Sequence, residues 1–252
     1  MRIATYNLLH GMSARSGLPD LGAAVTTIAA LQADVVAVQE ADRGLERSGG
    51  VHQVAWLADQ LAWTYAFAPA LLGDPETAWT TVGARDPGGG AYGVGVLSRY
   101  PLRRVVRHQL PGGRAGRRTR RATLGRPGWD REPRVALSAE VAVPDGAITV
   151  TTAHLSYLPW RGLAQLRRVA AIAAAQGETV LAGDLNLPVH AVRMALGGGW
   201  RHAHGGPTHP AWSPRRQPDQ IVVTKDLRVR DAVVGPAGAS DHLPLVATID
   251  LP

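Results

Sequence analysis

The chain predicts an α/β fold in which two β-sheets pack face to face with helices on the outside. Three observations carry this. Short apolar runs of strand length outnumber helical patterns, the helical patterns are interspersed among them, and small polar and charged residues recur where the apolar runs end. With 45% apolar residues, the 252-residue chain can bury a sizeable core. No internal repeat is visible, and the Pro/Gly-rich stretches fall between strands rather than between dissimilar halves, so a single domain over 1–252 is expected.

Taken in order, Arg2–Tyr6 alternates and reads as a first strand ending at Asn7. Asp20 is a fitting N-cap for a helix through about Gln32, with Leu21, Ala24, Val25, Ile28 and Leu31 at helical spacing. Asp34–Val38 is an apolar run typical of a buried strand, ending at Gln39 and Glu40. Val51–Leu61 reads as helix and Tyr92–Ser98 as strand, stopped by Pro101. Residues 110–130, rich in Gly, Pro and Arg, predict a long loop. Val135–Val143 and Ala147–His154 flank Pro144-Asp145-Gly146, a hairpin signal. Pro159–Gln176 is helical, with Leu163, Leu166, Val169, Ala170 and Ala173 on one face. Thr179–Ala182 is a buried strand ending at Gly183-Asp184, and 197–218 is irregular. Ile221–Val223, Leu227–Val234 and Leu243–Ile249 are the last strands.

Composition narrows the function. The absence of cysteine excludes disulfides and thiolate metal sites. Thr5, Tyr6 and Asn7 interrupt the N-terminal apolar run too early for a signal-peptide core, and no apolar run approaches the ~20 residues of a membrane span. A soluble, cytoplasmic protein is expected. The net charge of +7 is uneven: twelve Arg between 99 and 134 face only Asp130 and Glu132. Such a block suits a polyanion, and equally a solvated loop in an Arg-rich chain.

Asn7, Glu40, His154, Asp184 with Asn186, and Asp241 with His242 all sit at or beside strand ends. Strand ends of a sandwich converge on one rim, so these residues are candidates for one site. Their types suit phosphoester cleavage, which needs positive charge against the phosphate and a base for water. Carboxylates with an Asn amide suit a hard cation such as Mg²⁺ or Mn²⁺, and His supplies proton transfer near neutral pH. Taken singly, Glu40 reads as a surface residue or cap and Asp184 as a turn former.

The segments TYNLLHG (5–11), VVAVQEAD (35–42), YGVGVLSRYPL (92–102), TAHLSY (152–157), LAGDLN (181–186), PDQIVV (218–223) and SDHLPLV (240–246) occur in this order. Together they resemble the endonuclease/exonuclease/phosphatase superfamily over nearly the whole chain, GDLN and SDHLP being the most specific. The resemblance implies a four-layer α/β/β/α sandwich of two mixed, mainly antiparallel β-sheets. It implies a metal-dependent phosphoesterase using Mg²⁺, with Mn²⁺ as the alternative. Glu40 would be the principal metal ligand, with Asn7 beside it and Asp241 reaching the metal side. Asp184 would orient or deprotonate water, and Asn186 would hydrogen-bond a phosphate oxygen. His242 would contact the scissile phosphate, as base or as electrostatic stabiliser, and Asp219 would orient it. His154 would assist the leaving oxygen or bind phosphate. In REPRVAL (131–137) either Arg131 or Arg134 could clamp the phosphate; the family's REP sequence favours Arg131, and nearness to the strand favours Arg134.

The sequence departs from the family at Gln220 and His209, where aromatic residues are commoner, and offers His154 no evident acidic partner beyond Glu132. His202 and His204 imitate a metal pair but sit in a Gly-rich loop, His10 lies near Asn7, and Trp79, Trp160 and Trp212 are candidates for stacking on a ligand. Among substrates, a small phosphoester ranks first, nucleic acid second and a lipid headgroup third. An inactive binding protein of the same fold is the contrasting class, and the complete catalytic set argues against it. No obligate protein partner is indicated.

Overall fold

The structure is a computed structural model, and it describes all residues except 115, 118–129, 145 and 252. In chain order the elements are β1 (Arg2–Asn7), α1 (Leu21–Ala30), β2 (Val35–Arg43), α2 (Gln53–Leu61), β3 (Thr64–Asp74), β4 (Ala78–Thr81), β5 (Ala91–Ser98), β6 (Leu102–Gln109) and β7 (Gly116–Arg117). There follow β8 (Val135–Val143), β9 (Gly146–His154), α3 (Pro159–Ala174), β10 (Thr179–Asp184), α4 (Val189–Leu196), β11 (Trp200–His202), β12 (Asp219–Thr224), β13 (Arg228–Val234) and β14 (Leu245–Asp250).

The strands form an eight-stranded sheet, β13-β14-β1-β2-β5-β3-β4-β7, and a six-stranded sheet, β11-β12-β10-β9-β8-β6. Both are mixed and mainly antiparallel: β1 runs parallel to β2, and β9 to β10, while the other pairs are antiparallel. Valines, isoleucines and alanines of both sheets, among them Ile3, Val35, Val94, Val150, Val180 and Ile221, fill the space between them. The helices α1 and α2 cover the outer face of the larger sheet through Ile28 and Leu57. On the smaller sheet, α3 and α4 pack through Leu166, Val169 and Val192. This is the four-layer sandwich expected.

Several elements differ from the sequence reading. The second strand does not stop at Glu40 but continues to Arg43 through a register shift between Val38 and Ala41. A bulge there lets two residues oppose one and turns a side chain out of the alternating pattern. The strands β3, β4 and β6 and the helix α4 carry weak signals: β3 contains Pro69, and β6 is a largely exposed strand bearing Arg103 and Arg104. The region 197–218 holds β11 within it. The predicted 110–130 loop includes β7, with 118–129 outside the described residues, as is Asp145 of the predicted hairpin turn. Trp79 is buried and donates to the Arg114 carbonyl at 3.0 Å, so it is a core residue and not a stacking surface. Trp160 and Trp212 are exposed. No helix of the described residues is long and apolar enough to cross a membrane.

Candidate active site

The smaller sheet brings three candidates into one row. In the strand register His154 stands beside Asp184 on the parallel pair β9/β10, and Asp184 beside Asp219 on the antiparallel pair β10/β12. Gly183 permits this spacing, because a Cβ there would collide with the Ala153 carbonyl oxygen. On the larger sheet, Asn7 at the end of β1 pairs in register with Gln39, the residue before Glu40. The two sheets are tied just beneath: Thr5 donates to Gln39 Oε1 at 3.1 Å, and Gln39 Nε2 donates to Thr152 Oγ1 at 3.0 Å, all three buried. A misplaced sheet would leave these polar groups without partners, so the ties set where the two rims meet.

Backbone strain gathers at this rim. Glu40, at the β2 bulge, has φ 52°, and Leu9, His10 and Asn186 also have positive φ. Only Asn among these types tolerates that region readily. Local hydrogen bonds hold the loops: Leu9 N donates to Asn7 Oδ1 and Asn186 N to Asp184 Oδ1, both at 3.0 Å.

Across the sheets, Asn7 Nδ2 donates to Glu40 Oε1 at 3.0 Å and to Asp184 Oδ2 at 3.1 Å. Asp184 Oδ2 lies 3.9 Å from His242 Nε2 and 3.6 Å from His154 Nε2. His242 Nδ1 bonds Asp219 Oδ2 at 2.8 Å, and Thr208 Oγ1 donates to the same oxygen at 2.6 Å. Asp219, at 0% exposure, is the buried carboxylate that the His242 imidazole needs to fix its orientation. The cleft above these groups has a volume of about 310 Å³ and is lined also by His10, Arg47, Tyr92 and Arg134. Glu40 keeps 21% of its side chain exposed toward it.

Protonation follows from these neighbours. Burial by itself would lower the His242 pKa, but the hydrogen bond and charge of Asp219, with Asp184 and Asp241, raise it to about 10. Its Nε2–H is thus a charged donor facing Asp184. Burial and the charge of Asp219 push Asp184 up to about 7, against the opposing pull of His242. His154 is driven down to about 3, by burial and then by Arg134. Near pH 7 it is therefore neutral. Asn186 Nδ2 bonds its Nε2 at 3.1 Å, which assigns the proton to Nδ1, the nitrogen facing the Tyr92 hydroxyl at 3.5 Å. Burial would raise Glu40, yet it is held well below the usual carboxylate range by His10, His154 and Asn7. Since His154 is neutral, the contacts with His10 and Asn7 are what hold Glu40 ionised.

The predicted residues divide. Asn7, Glu40, His154, Asp184, Asn186, Asp219 and His242 meet in this cluster. Asp241 does not join Glu40 and Asn7. It lies 3.6 Å from His209, whose ring centroid is 4.6 Å from that of His242, and its Oδ1 is buried without a partner. Asp184 is the carboxylate joined to Glu40 through Asn7. The ligand atoms of Asp184, Asp219 and His242 lie within 4.8 Å of one another, as do those of His209, Asp241 and His242. Both amide hydrogens of Asn186 are engaged, by Leu155 O and His154, so a phosphate there would compete with His154.

Of the two arginines, Arg134 is the one in the cleft: it is 4% exposed, with its Nη2 3.3 Å from Asp130 and 3.1 Å from Glu132. Its Nε and Nη1 are buried without partners, and Arg131 lies exposed. Glu132, the suggested partner of His154, pairs with Arg134, and the acids near His154 are Glu40 and Asp184. Gln220 is buried and donates to the Leu187 carbonyl at 2.7 Å. Sequence reasoning missed Arg47, Tyr92 and Thr208 as site residues. Tyr92 lay inside a quoted motif and Thr208 next to His209, but nothing near Arg47, which bonds Asp42 through two nitrogens at 2.8 Å, signals it.

The match to a family model settles the kinship: the model of the Endonuclease/Exonuclease/phosphatase family aligns with residues 4–242. The chain belongs to the Endonuclease/Exonuclease/phosphatase family. An endonuclease/exonuclease/phosphatase from Beutenbergia cavernae is 25% identical, with TM-score 0.77, over 100% of this chain and 71% of that one. Two more distant structures share the fold of this family member. The Bacteroides thetaiotaomicron mannosyl-6-phosphatase is 15% identical with TM-score 0.69 over 100% of both chains. A humanized D. rerio TDP2 is 16% identical with TM-score 0.67, over 100% of this chain and 99% of that one. No curated protein matches the chain.

Proposed function

We propose that the protein hydrolyses a phosphoester by attack of an activated water on phosphorus, with a divalent cation, Mg²⁺ or Mn²⁺, at Glu40. The reading rests chiefly on one observation: the buried Asp219–His242 pair, 2.8 Å apart, opens onto the Asp184 carboxylate that shares Asn7 with Glu40. The donor set suits a hard cation, being two carboxylates with no thiolate. Two carboxylates gathered on one amide are also what a cation would relieve. Glu40 and Asp184 would hold it, with Asn7 fixing their orientation. When bound, the cation supplies positive charge against the phosphate and the departing oxygen.

The chain's own groups then divide the work. His242, as imidazolium, donates from Nε2 to a phosphate oxygen and stabilises charge rather than acting as base. Asp184, with its Oδ2 3.9 Å from His242 Nε2, is the carboxylate placed to orient the attacking water and accept its proton. Arg134 has two nitrogens without partners, Nε and Nη1, to offer the phosphate. Neutral His154 holds Asn186. The cleft, about 310 Å³, has room for a small phosphoester. The mannosyl-6-phosphatase fold likeness is consistent with such a substrate.

The test is turnover of bis-p-nitrophenyl phosphate and p-nitrophenyl phosphate with Mg²⁺ or Mn²⁺, with and without EDTA. Metal-dependent turnover that vanishes in Glu40→Ala supports the proposal. Turnover indifferent to EDTA, or none across a broad phosphoester panel, would overturn it in favour of a binding protein.

A further inference from the structure

A second pocket adjoins the first and shares Asn186 and His242 with it; its volume is about 400 Å³. The two differ in charge. The first holds Glu40, Glu76, Glu132 and Asp184, whereas none of the described residues lining the second is acidic, and Arg215 and Arg216 both face it. Leu187, Val189 and Pro218 give it apolar walls.

The arginines are presented by a turn built for it. The backbone N–H groups of Arg215 and Arg216 both donate to the His209 carbonyl at 3.0 Å, and Arg216 Nη2 bonds His209 Nδ1 at 3.0 Å. His209 in turn packs its ring against His242. The same loop is pinned by Leu243 N, which donates to Thr208 O at 2.8 Å, and by Ala211 N, which donates to Asp241 O at 2.7 Å. The turn and the Arg216 guanidinium are thus set relative to the imidazole, and Arg215 follows on the same turn, exposed at the pocket. Arg215 has no side-chain partner among the described residues, and its fork is open to an anion.

We infer that this pocket is a subsite for a second phosphate of the substrate, carried on a sugar or similar ring that rests on Leu187, Val189 and Pro218. The inference rests on the phosphoesterase reading and narrows it: the substrate straddles His242, with the scissile phosphate in the acidic, cation-holding cleft and the second phosphate at Arg215 and Arg216. A sugar bisphosphate and a short oligonucleotide share that chemistry.

The experiment compares kcat/KM within two substrate pairs, a hexose bisphosphate against the hexose monophosphate and pTpT against thymidine 5′-monophosphate, for the wild-type protein and Arg215→Gln. The wild type is expected to prefer the two-phosphate member of one pair, which identifies the source. Arg215→Gln is expected to shrink that preference about 10-fold or more, the scale of a lost charged hydrogen bond. No preference in either pair, or a preference that Arg215→Gln leaves intact, overturns the subsite. Should the wild type turn over no phosphoester, the hydrolase reading fails by itself. The subsite is then decided by calorimetry with the same four compounds: tighter binding of a two-phosphate member, erased in Arg215→Gln, supports it, and equal binding overturns it.

Discussion

The carboxylates of Glu40 and Asp184, carried by different sheets, accept hydrogen bonds from one amide nitrogen, Nδ2 of Asn7, at 3.0 and 3.1 Å. Asn7 is thus the joint at which the two rims of the sandwich become one site. Asn7→Ala should weaken Mg²⁺ binding and activity about 10–100-fold, the range for losing an orienting partner of a metal site. Glu40→Ala should abolish measurable Mg²⁺ binding while leaving the circular dichroism spectrum unchanged. Titration calorimetry with Mg²⁺ checks both, and unchanged affinity in Glu40→Ala would place the cation elsewhere.

The Asp219–His242 pair predicts a pH signature. The folded His242 pKa, about 10, exceeds the ordinary value of 6.5, so protonation favours the folded state. The resulting stability is complete below about pH 6.5 and is lost as pH rises toward 10. Asp219→Asn removes the main cause. The Tm gap between wild type and Asp219→Asn should therefore narrow from pH 6 to pH 10, and activity of the variant should fall about 10²-fold or more. A gap independent of pH would mean that His242 is not charged in the folded protein.

His202 gives the opposite sign. Its ring stacks on that of His204 at 6.3 Å, and burial, then His204 and Arg193, lowers its pKa to about 4. Protonation near pH 5 therefore favours the unfolded chain, and stability falls as pH drops from about 6.5 to about 4. His202→Asn should flatten that acid limb of the Tm curve.

Arg134 joins stability to binding. It is 4% exposed and pairs with Asp130 and Glu132. Arg134→Met would leave Asp130 with Arg161 as its one cationic partner among the described residues and should cost about 3 kcal/mol, the lower end for breaking a buried ion pair. Arg134→Lys keeps the charge but loses the fork, and should raise KM more than it lowers kcat. Urea denaturation and steady-state kinetics on the two variants separate the effects; an unchanged KM in Arg134→Lys would remove this residue from the phosphate site.

Much of the fold was legible because it is written in local pattern. The runs at 35–38 and 179–182 are short and almost wholly apolar, as strands buried on both faces are, and the faces of α1 and α3 repeat at the helical period. The strand β6 was not legible, since an exposed arginine-bearing edge has no apolar period, and neither was the continuation of β2 beyond Glu40, since a bulge breaks the alternation on which strand reading depends. In the site, chain order and residue type marked Asn7, Glu40, Asp184, Asp219 and His242. They could not mark Arg47, which owes its place to Asp42, nor choose between Arg131 and Arg134, because burial of one and exposure of the other follow from how β8 enters the sheet.

The sequence by itself determined two packed sheets with helices outside, through the length and period of its apolar runs, and its ordered motifs carried the resemblance to the family and, with it, the expected site residues. Only the tertiary structure decided which carboxylate stands beside Glu40, that His154 is neutral while His242 is charged, and that Asp241 turns to His209. Those outcomes depend on distances of 3–4 Å between residues far apart in the chain. Charge and hydrogen bonding act through space, and the registers of two separate sheets set that space.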